Sequence, residues 1–228
     1  MMIWGVKMNY EIIRSRRKTI SINIDSYGNI TVKAPFNTPD HQIQKFIDQK
    51  QGWIDRHVGE ISEKVDIRRR NLSSVPERLP LLGSMCRVVY IRPYGYNNGT
   101  FYLPERPMEQ MLPNIQNIYR SIAKKILITR TKLLADRLDI SITGVRINSA
   151  RTRWGSCSSK KVINLSWKLV TADEELIDYV IVHELCHTKF MDHSEQFWDM
   201  VGSIMPDYER RRQALHETSR TLYEYGLE

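Results

Sequence analysis

The chain has 228 residues, 41% of them hydrophobic, and 34 Lys and Arg against 26 Asp and Glu give it a formal charge of +8. That length supports one good core or two small subdomains, the lack of any run of about 18 apolar residues argues against a membrane-spanning helix, and the positive excess favours anionic partners such as nucleic acid, nucleotides or acidic peptides. Three cysteines, Cys86, Cys157 and Cys186, cannot form a fully paired disulfide framework, and Met1–Lys7 carries no long apolar leader, so the expected setting is a reducing cytoplasm.

The first signal along the chain is basic. Arg14, Arg16, Arg17 and Lys18 lead directly into a strand. Ile20, Ile22 and Ile24 alternate with polar residues, as do Ile30 and Val32, and Asp25-Ser-Tyr-Gly-Asn29 between them reads as a turn. This predicts a β-hairpin with one buried face. Thr38-Pro39-Asp40 starts a helix with proline in its first turn. Ile43, Phe46, Ile47, Trp53, Ile54, Val58 and Ile61 carry an apolar stripe to about residue 66; Gly52 weakens it by about 1 kcal/mol without ending it. Residues 67–80, with Arg68, Arg69 and Arg70 and two prolines, read as a surface connection.

Val88–Ile91 and Phe101–Leu103 look like two strands around an Asn97-Asn-Gly99 turn. Pro104, Pro107 and Pro113 mark a further loop. A long helix is expected from about 114 to 138, on Ile115, Ile118, Tyr119, Ile122, Ile126, Leu133, Leu134 and Leu138. Val145–Ile147 and Val162–Leu165 are short strands on either side of Arg151-Thr-Arg-Trp-Gly-Ser-Cys157, where Gly155 suggests a tight bend. Helices are expected at 194–204 and, past Pro206, to about 223, with a solvated Arg210–Arg212 run on the last. No internal repeat or low-complexity tract is present.

The chemistry lies between those strands and helices. Thr171-Ala-Asp-Glu174 has the form of a capping box. Leu176, Ile177, Val180, Ile181 and Leu185 then recur at helical spacing, so His183-Glu-Leu-Cys-His187 falls inside a buried helix. Side chains four apart stack on one helical face about 6 Å from each other, which suits two imidazoles meeting at one metal. Glu184, rotated by about 100°, is placed to reach a water at that metal rather than to ligate it. His-Glu-x-x-His on a helix points to a zinc hydrolase with the Glu as general base. Cys186 points off the His183–His187 face and reads as small apolar filler.

A third ligand is needed for the open, catalytic type of zinc site. His193 is the expected one, because a short turn after His187 can fold it back and imidazole is the commonest partner for zinc. Asp192 and Glu195 are competing neighbours, and Glu209 is the type of later ligand that gluzincins supply. Metzincins share the histidine spacing but carry Gly where this chain has Phe190.

Four blocks in order carry a family resemblance. Arg151-Thr-Arg-Trp-Gly-Ser-Cys157, Ile163-Asn-Leu165, Tyr179-Val-Ile-Val-His-Glu-Leu-Cys-His187, and His193-Ser with Phe197-Trp198 resemble the YgjP-like family of zinc-dependent hydrolases. These are zincin-fold relatives of the minigluzincins and the SprT-like proteins. Arg14–Ile20 and Trp53-Ile54 resemble it as well. The resemblance implies zinc on His183, His187 and His193, with Glu184 as catalytic base.

The expected fold is α+β. An α+β N-terminal subdomain covers 1–105, and a minimal zincin-like catalytic domain covers 106–228, with helix, short strands, metal helix and C-terminal helices. In zincins a strand before the metal helix presents a free edge to an extended substrate, and 162–166 is the candidate, with Asn164 as a substrate contact. Trp167, Phe197 and Trp198 read as core, and Trp154 as a pocket wall. Three functions compete. The first is a zinc peptidase. The second is a zinc-dependent nucleotide phosphohydrolase, favoured by Arg16, Arg17, Arg151 and Arg153, whose forks match phosphate oxygens. The third is a non-catalytic nucleic-acid-binding module with structural zinc, which has no motif of its own and ranks last. At least two of those four arginines are expected to line the approach to the metal and bind an anionic substrate group.

Overall fold

The computed structural model describes residues 10–25, 28–150 and 152–228. Contacts divide the chain into two units, 1–69 and 70–228.

In the first unit, β1 (Tyr10–Ser15), β2 (Ser21–Ile24) and β3 (Ile30–Pro35) form a sheet in the order β1-β3-β2. β2 and β3 make the expected antiparallel hairpin with Ile22 opposite Val32, and the centre of its turn, residues 26 and 27, lies outside the described residues. β1 adds a parallel strand, with Ile12 opposite Val32. Ile30, Val32 and Ala34 project from one face of β3 and bury against Ile43, Ile47 and Ile54 of α1 (Asp40–Ser73). Arg14 ties β1 to the start of that helix, donating to the Thr38 carbonyl oxygen at 2.7 Å and pairing with Asp40. α1 runs past residue 66 and through Arg68–Arg70, which are good helix formers. It stops before Val75-Pro76, where the residue ahead of a proline is pushed out of helical geometry.

The second unit begins with a four-stranded sheet, β4-β5-β7-β6 in spatial order. Its strands are β4 (Arg78–Leu81), β5 (Ser84–Tyr90), β6 (Gly95–Asn97) and β7 (Thr100–Leu103). The expected pairing of 88–91 with 101–103 exists, but it is parallel, Val88 opposite Phe101. The Asn98-Gly99 turn joins β6 to β7 instead, with φ of +43° and +77°, the left-handed pair a primed hairpin turn requires. β6 was invisible in the sequence because Gly-Tyr-Asn has no alternation to read.

Leu79, Leu81, Val88, Phe101 and Leu103 are buried in the same core as the long helix α2 (Met108–Arg137). Phe101 stands 5.3 Å from the Tyr119 ring, whose hydroxyl donates to the Pro80 carbonyl oxygen. The boundary expected at 105 therefore falls at 69, because these strands share the second unit's core. α2 also starts earlier than 114 and takes in Pro113. A proline inside a helix costs about 3 kcal/mol, and burying a Met side chain returns about 1.5–3 kcal/mol, so Met108 and Met111, both fully buried, offset it.

A second sheet follows, β8-β10-β9 in order, from β8 (Gly144–Asn148), β9 (Gly155–Cys157) and β10 (Val162–Ser166). β10 is parallel to β8, with Leu165 opposite Ile147, and antiparallel to β9, with Leu165 opposite Gly155. So 162–166, expected as the edge because it is the strand before the metal helix, is the central strand, paired on both sides. Of the two outer strands, β9 packs on α3 (Glu174–Cys186) and β8 on α2. A 3₁₀ turn, Trp167–Thr171, leads into that helix. The capping box does not form. Thr171 lies in the 3₁₀ turn with its hydroxyl donating to the Lys168 carbonyl oxygen, and Asp173 takes the N-cap position without a side-chain cap.

α4 (Glu195–Ile204) and α5 (Tyr208–Glu224) complete the unit as expected. Ile177, Ile181, Leu185 and Cys186 of α3 are fully buried, so Cys186 is indeed core filler. Arg130 of α2 grips α3 through Asp178 and Glu174, and Arg210 of α5 holds Glu175. The architecture is α+β, and among the described residues no helix is long and apolar enough to cross a membrane.

Candidate functional site

His183 lies in the last turns of α3 and His187 at its C-cap, one helical turn apart on one face, with ring centroids 4.9 Å apart. The chain then turns back. Lys189 and Phe190 both donate their backbone N–H to the Cys186 carbonyl oxygen, and His193 arrives just before α4. Its ring stands 5.1 Å from His183 and 4.8 Å from His187. Ligand-type nitrogens of the three rings all lie within 4.8 Å of one another, and this is the one such cluster among the described residues.

The rings are held in place from outside. His187 Nδ1 lies 2.8 Å from the Phe190 carbonyl oxygen. A carbonyl only accepts, so Nδ1 carries the proton and Nε2 presents its lone pair. Phe197 of α4, fully buried, touches all three imidazoles at centroid distances of 4.9, 4.4 and 4.9 Å. Trp198 stacks on His193 at 5.6 Å and Tyr208 stacks on Trp198 at 5.2 Å. Burial pushes the His183 imidazole down to about 3, aided by His187 and His193, and burial lowers His187 as well. Both are held neutral at physiological pH, the form that donates to a metal.

Glu184, rotated off the histidine face, is 6% exposed. Burial raises its carboxyl to about 7, against the opposing pull of Arg153 and the Cys157 backbone N–H. Its Oε2 is buried without a hydrogen-bond partner, as is His183 Nδ1. Gly155 of β9 makes the room: a Cβ there would lie 2.7 Å from both Cγ and Oε1 of Glu184. The chain bends at Trp154, beside the glycine where a bend was expected, and the glycine also serves close approach of a strand to a carboxyl.

A cavity of about 440 Å³ opens over these groups, lined also by Arg153, Trp154, Tyr179, Trp198, Arg212 and Leu215. A larger hollow of about 660 Å³ lies between the end of α2 and β8 and contains none of them. Of the expected substrate contacts, Arg153 and Trp154 line the cavity. Arg151 lies outside the described residues. Asn164 does not line it; its amide donates to the Val162 and Ser156 carbonyl oxygens at 3.3 and 3.4 Å. Arg16 and Arg17 belong to the first unit, one exposed and one half-buried. Asp192, Glu195 and Glu209 stay out of the histidine cluster; Asp192 accepts the Ser194 N–H and Glu209 sits beside the Tyr208 hydroxyl.

Sequence reasoning missed Arg212, Tyr179 and Trp198. The signal for Arg212 was available in the helical spacing Tyr208, Arg212, Leu215, which shares one face of α5. Its two neighbours are tied down rather than simply solvated, Arg210 bonding Glu175 and the part-buried Arg211 bonding Asp207.

The model of the YgjP-like metallopeptidase domain matches residues 18–218. The chain belongs to the YgjP-like metallopeptidase family. The crystal structure of the metallopeptidase zymogen of Pyrococcus abyssi abylysin is similar over 39% of this chain and 88% of that one, at 27% identity and a TM-score of 0.35. No curated protein matches. Membership of the YgjP-like family makes this a metal-dependent hydrolase at the family level, and the three histidines are the cluster that could bind the divalent ion.

Proposed function

We propose that the chain is a zinc-dependent peptidase in which His183, His187 and His193 hold the ion and Glu184 is the general base. The observation that carries this reading is the convergence of three imidazoles beside a buried carboxyl whose Oε2 has no partner. The donor set fits the metal. His183 Nε2 and His193 Nε2 stand 3.1 Å apart, and two nitrogens about 2.0–2.1 Å from a tetrahedral zinc stand about 3.3 Å apart. Three imidazole ligands leave one tetrahedral position for water or substrate, the pattern of catalytic rather than closed structural sites.

Zinc, when bound, supplies Lewis acidity that lowers the pKa of a coordinated water from about 16 to about 7 and polarises the scissile carbonyl. The remaining work falls to the chain. A carboxyl poised near neutrality is matched to taking a proton from an attacking water and giving it to the leaving amine. The near-absence of solvent at Glu184 keeps that proton from exchanging away. β9, paired on one side only, offers the other side of Gly155–Cys157 to an extended peptide. A structural zinc module would leave Glu184 incidental, and a buried carboxyl with one oxygen unpartnered is a poor incidental feature.

A second reading, hydrolysis of a nucleotide phosphoanhydride, has one observation in its favour: Arg153 and Arg212 line the same cavity. A panel of peptides and nucleoside triphosphates, assayed with added zinc on wild type and on Glu184→Gln, separates the two. Glu184-dependent peptide cleavage is expected. Glu184-dependent turnover of a triphosphate with no peptide cleaved would replace this reading with the second.

A further inference from the structure

Arg14, Arg69, Arg130, Arg210, Arg211 and Arg220 each pair with a carboxylate. Arg153 and Arg212 have no such partner among the described residues, and both face the cavity over the histidines. They come from separate elements, Arg153 from the segment entering β9 and Arg212 from α5. Arg212 is aimed by an aromatic stack. Its guanidinium carbon lies 5.3 Å from the Trp198 ring centroid, and Trp198 lies on His193. A guanidinium held over an indole keeps its N–H edge free for a second partner.

The charge around the cavity is unbalanced. Among the described residues Glu184 is the one acidic side chain lining it, against two guanidiniums. A bound divalent ion would widen that excess. The rest of the wall is largely apolar, with Trp154, Trp198 and Leu215, so charge on a ligand meets little competing polarity there. We propose that Arg153 and Arg212 are specificity-determining residues that select peptides presenting a carboxylate next to the scissile bond, supplied by an acidic side chain or by a free C-terminus. The proposal rests on the metallopeptidase reading and names the substrate class for that site.

Four probes test both sources at once: succinyl hydroxamates of Glu and of Gln, each with a free or an amidated C-terminus. Binding to the zinc-loaded full chain is measured by titration calorimetry, so no turnover is required. A carboxylate gaining charge-assisted hydrogen bonds should bind about ten- to a hundredfold tighter than the Gln amide. The Glu amide gaining affinity assigns the side chain, and the Gln free acid gaining it assigns the C-terminus; either supports the proposal. Arg153→Gln and Arg212→Gln should each pull that ratio towards one, and 1 M salt should reduce it in wild type. Equal binding of all four probes overturns the proposal and leaves the metal reading standing. No binding by any of them overturns the metal reading, and the proposal with it. A nucleoside triphosphate that displaces the Gln amide, when neither carboxylate gains affinity, overturns the peptide class in favour of phosphate.

Discussion

A Cβ on Gly155 would stand 2.7 Å from Cγ of Glu184, so β9 and the Glu184 carboxyl share a space that one methyl group fills. Gly155→Ala should therefore push the carboxyl aside. Overpacking of this kind costs about 1–3 kcal/mol of stability, and a displaced base costs about 10²-fold in kcat. The expected signature is normal zinc content with low kcat and little change in KM. A fully active Gly155→Ala protein would mean that Glu184 has room the structure does not show.

Glu184→Gln keeps size and removes the proton acceptor. Zinc content should stay at one per chain, and turnover should fall by about 10²–10⁴-fold. Metal analysis and a peptide assay on the same sample decide it, and undiminished turnover would remove Glu184 from the mechanism.

His193→Ala should lose most of the zinc affinity while leaving α3 intact, because His193 comes from the loop ahead of α4 and is itself exposed. Chelator should lower the melting temperature of wild type but not of this variant, since an ion at a hundred times its Kd adds about 2.7 kcal/mol to the folded state. Zinc retained by His193→Ala would hand the third position to a carboxylate.

Arg130→Ala tests the joint between α2 and α3. Arg130 bonds Asp178 through two nitrogens and Glu174 through a third, with its side chain 27% exposed. Charge-assisted bonds in such a part-buried setting are worth about 1–3 kcal/mol, against about 0–1 kcal/mol for an exposed pair. Denaturant unfolding should show Arg130→Ala well below Arg220→Ala, whose pair with Glu224 leaves Arg220 49% exposed. Equal loss in the two would make the α2–α3 joint no different from a surface contact.

The site was legible where chemistry and helical period coincide. His183, Glu184 and His187 announce themselves at fixed spacing on an apolar helix, and His193 is close enough in sequence to be brought back by one turn. The arginines were less legible. Arg210, Arg211 and Arg212 read alike in sequence, yet two hold carboxylates and the third faces the cavity, a difference set by about 100° of rotation per residue. The role of Gly155 depends on what stands opposite it in space. Strand order was hidden for the same reason: Val162–Ser166 is apolar enough for an edge or a centre, and only pairing on both sides by β8 and β9 decides.

Phe197 touches His183, His187 and His193 with one buried ring. The end of α3 and the loop ahead of α4 are thus spaced by a hydrocarbon former that owes nothing to the ion. A cage packed this way before it is filled would meet little ordering entropy on loading. Such a centre can be emptied and refilled in place, or exchange one divalent ion for another, while the surrounding chain stays folded.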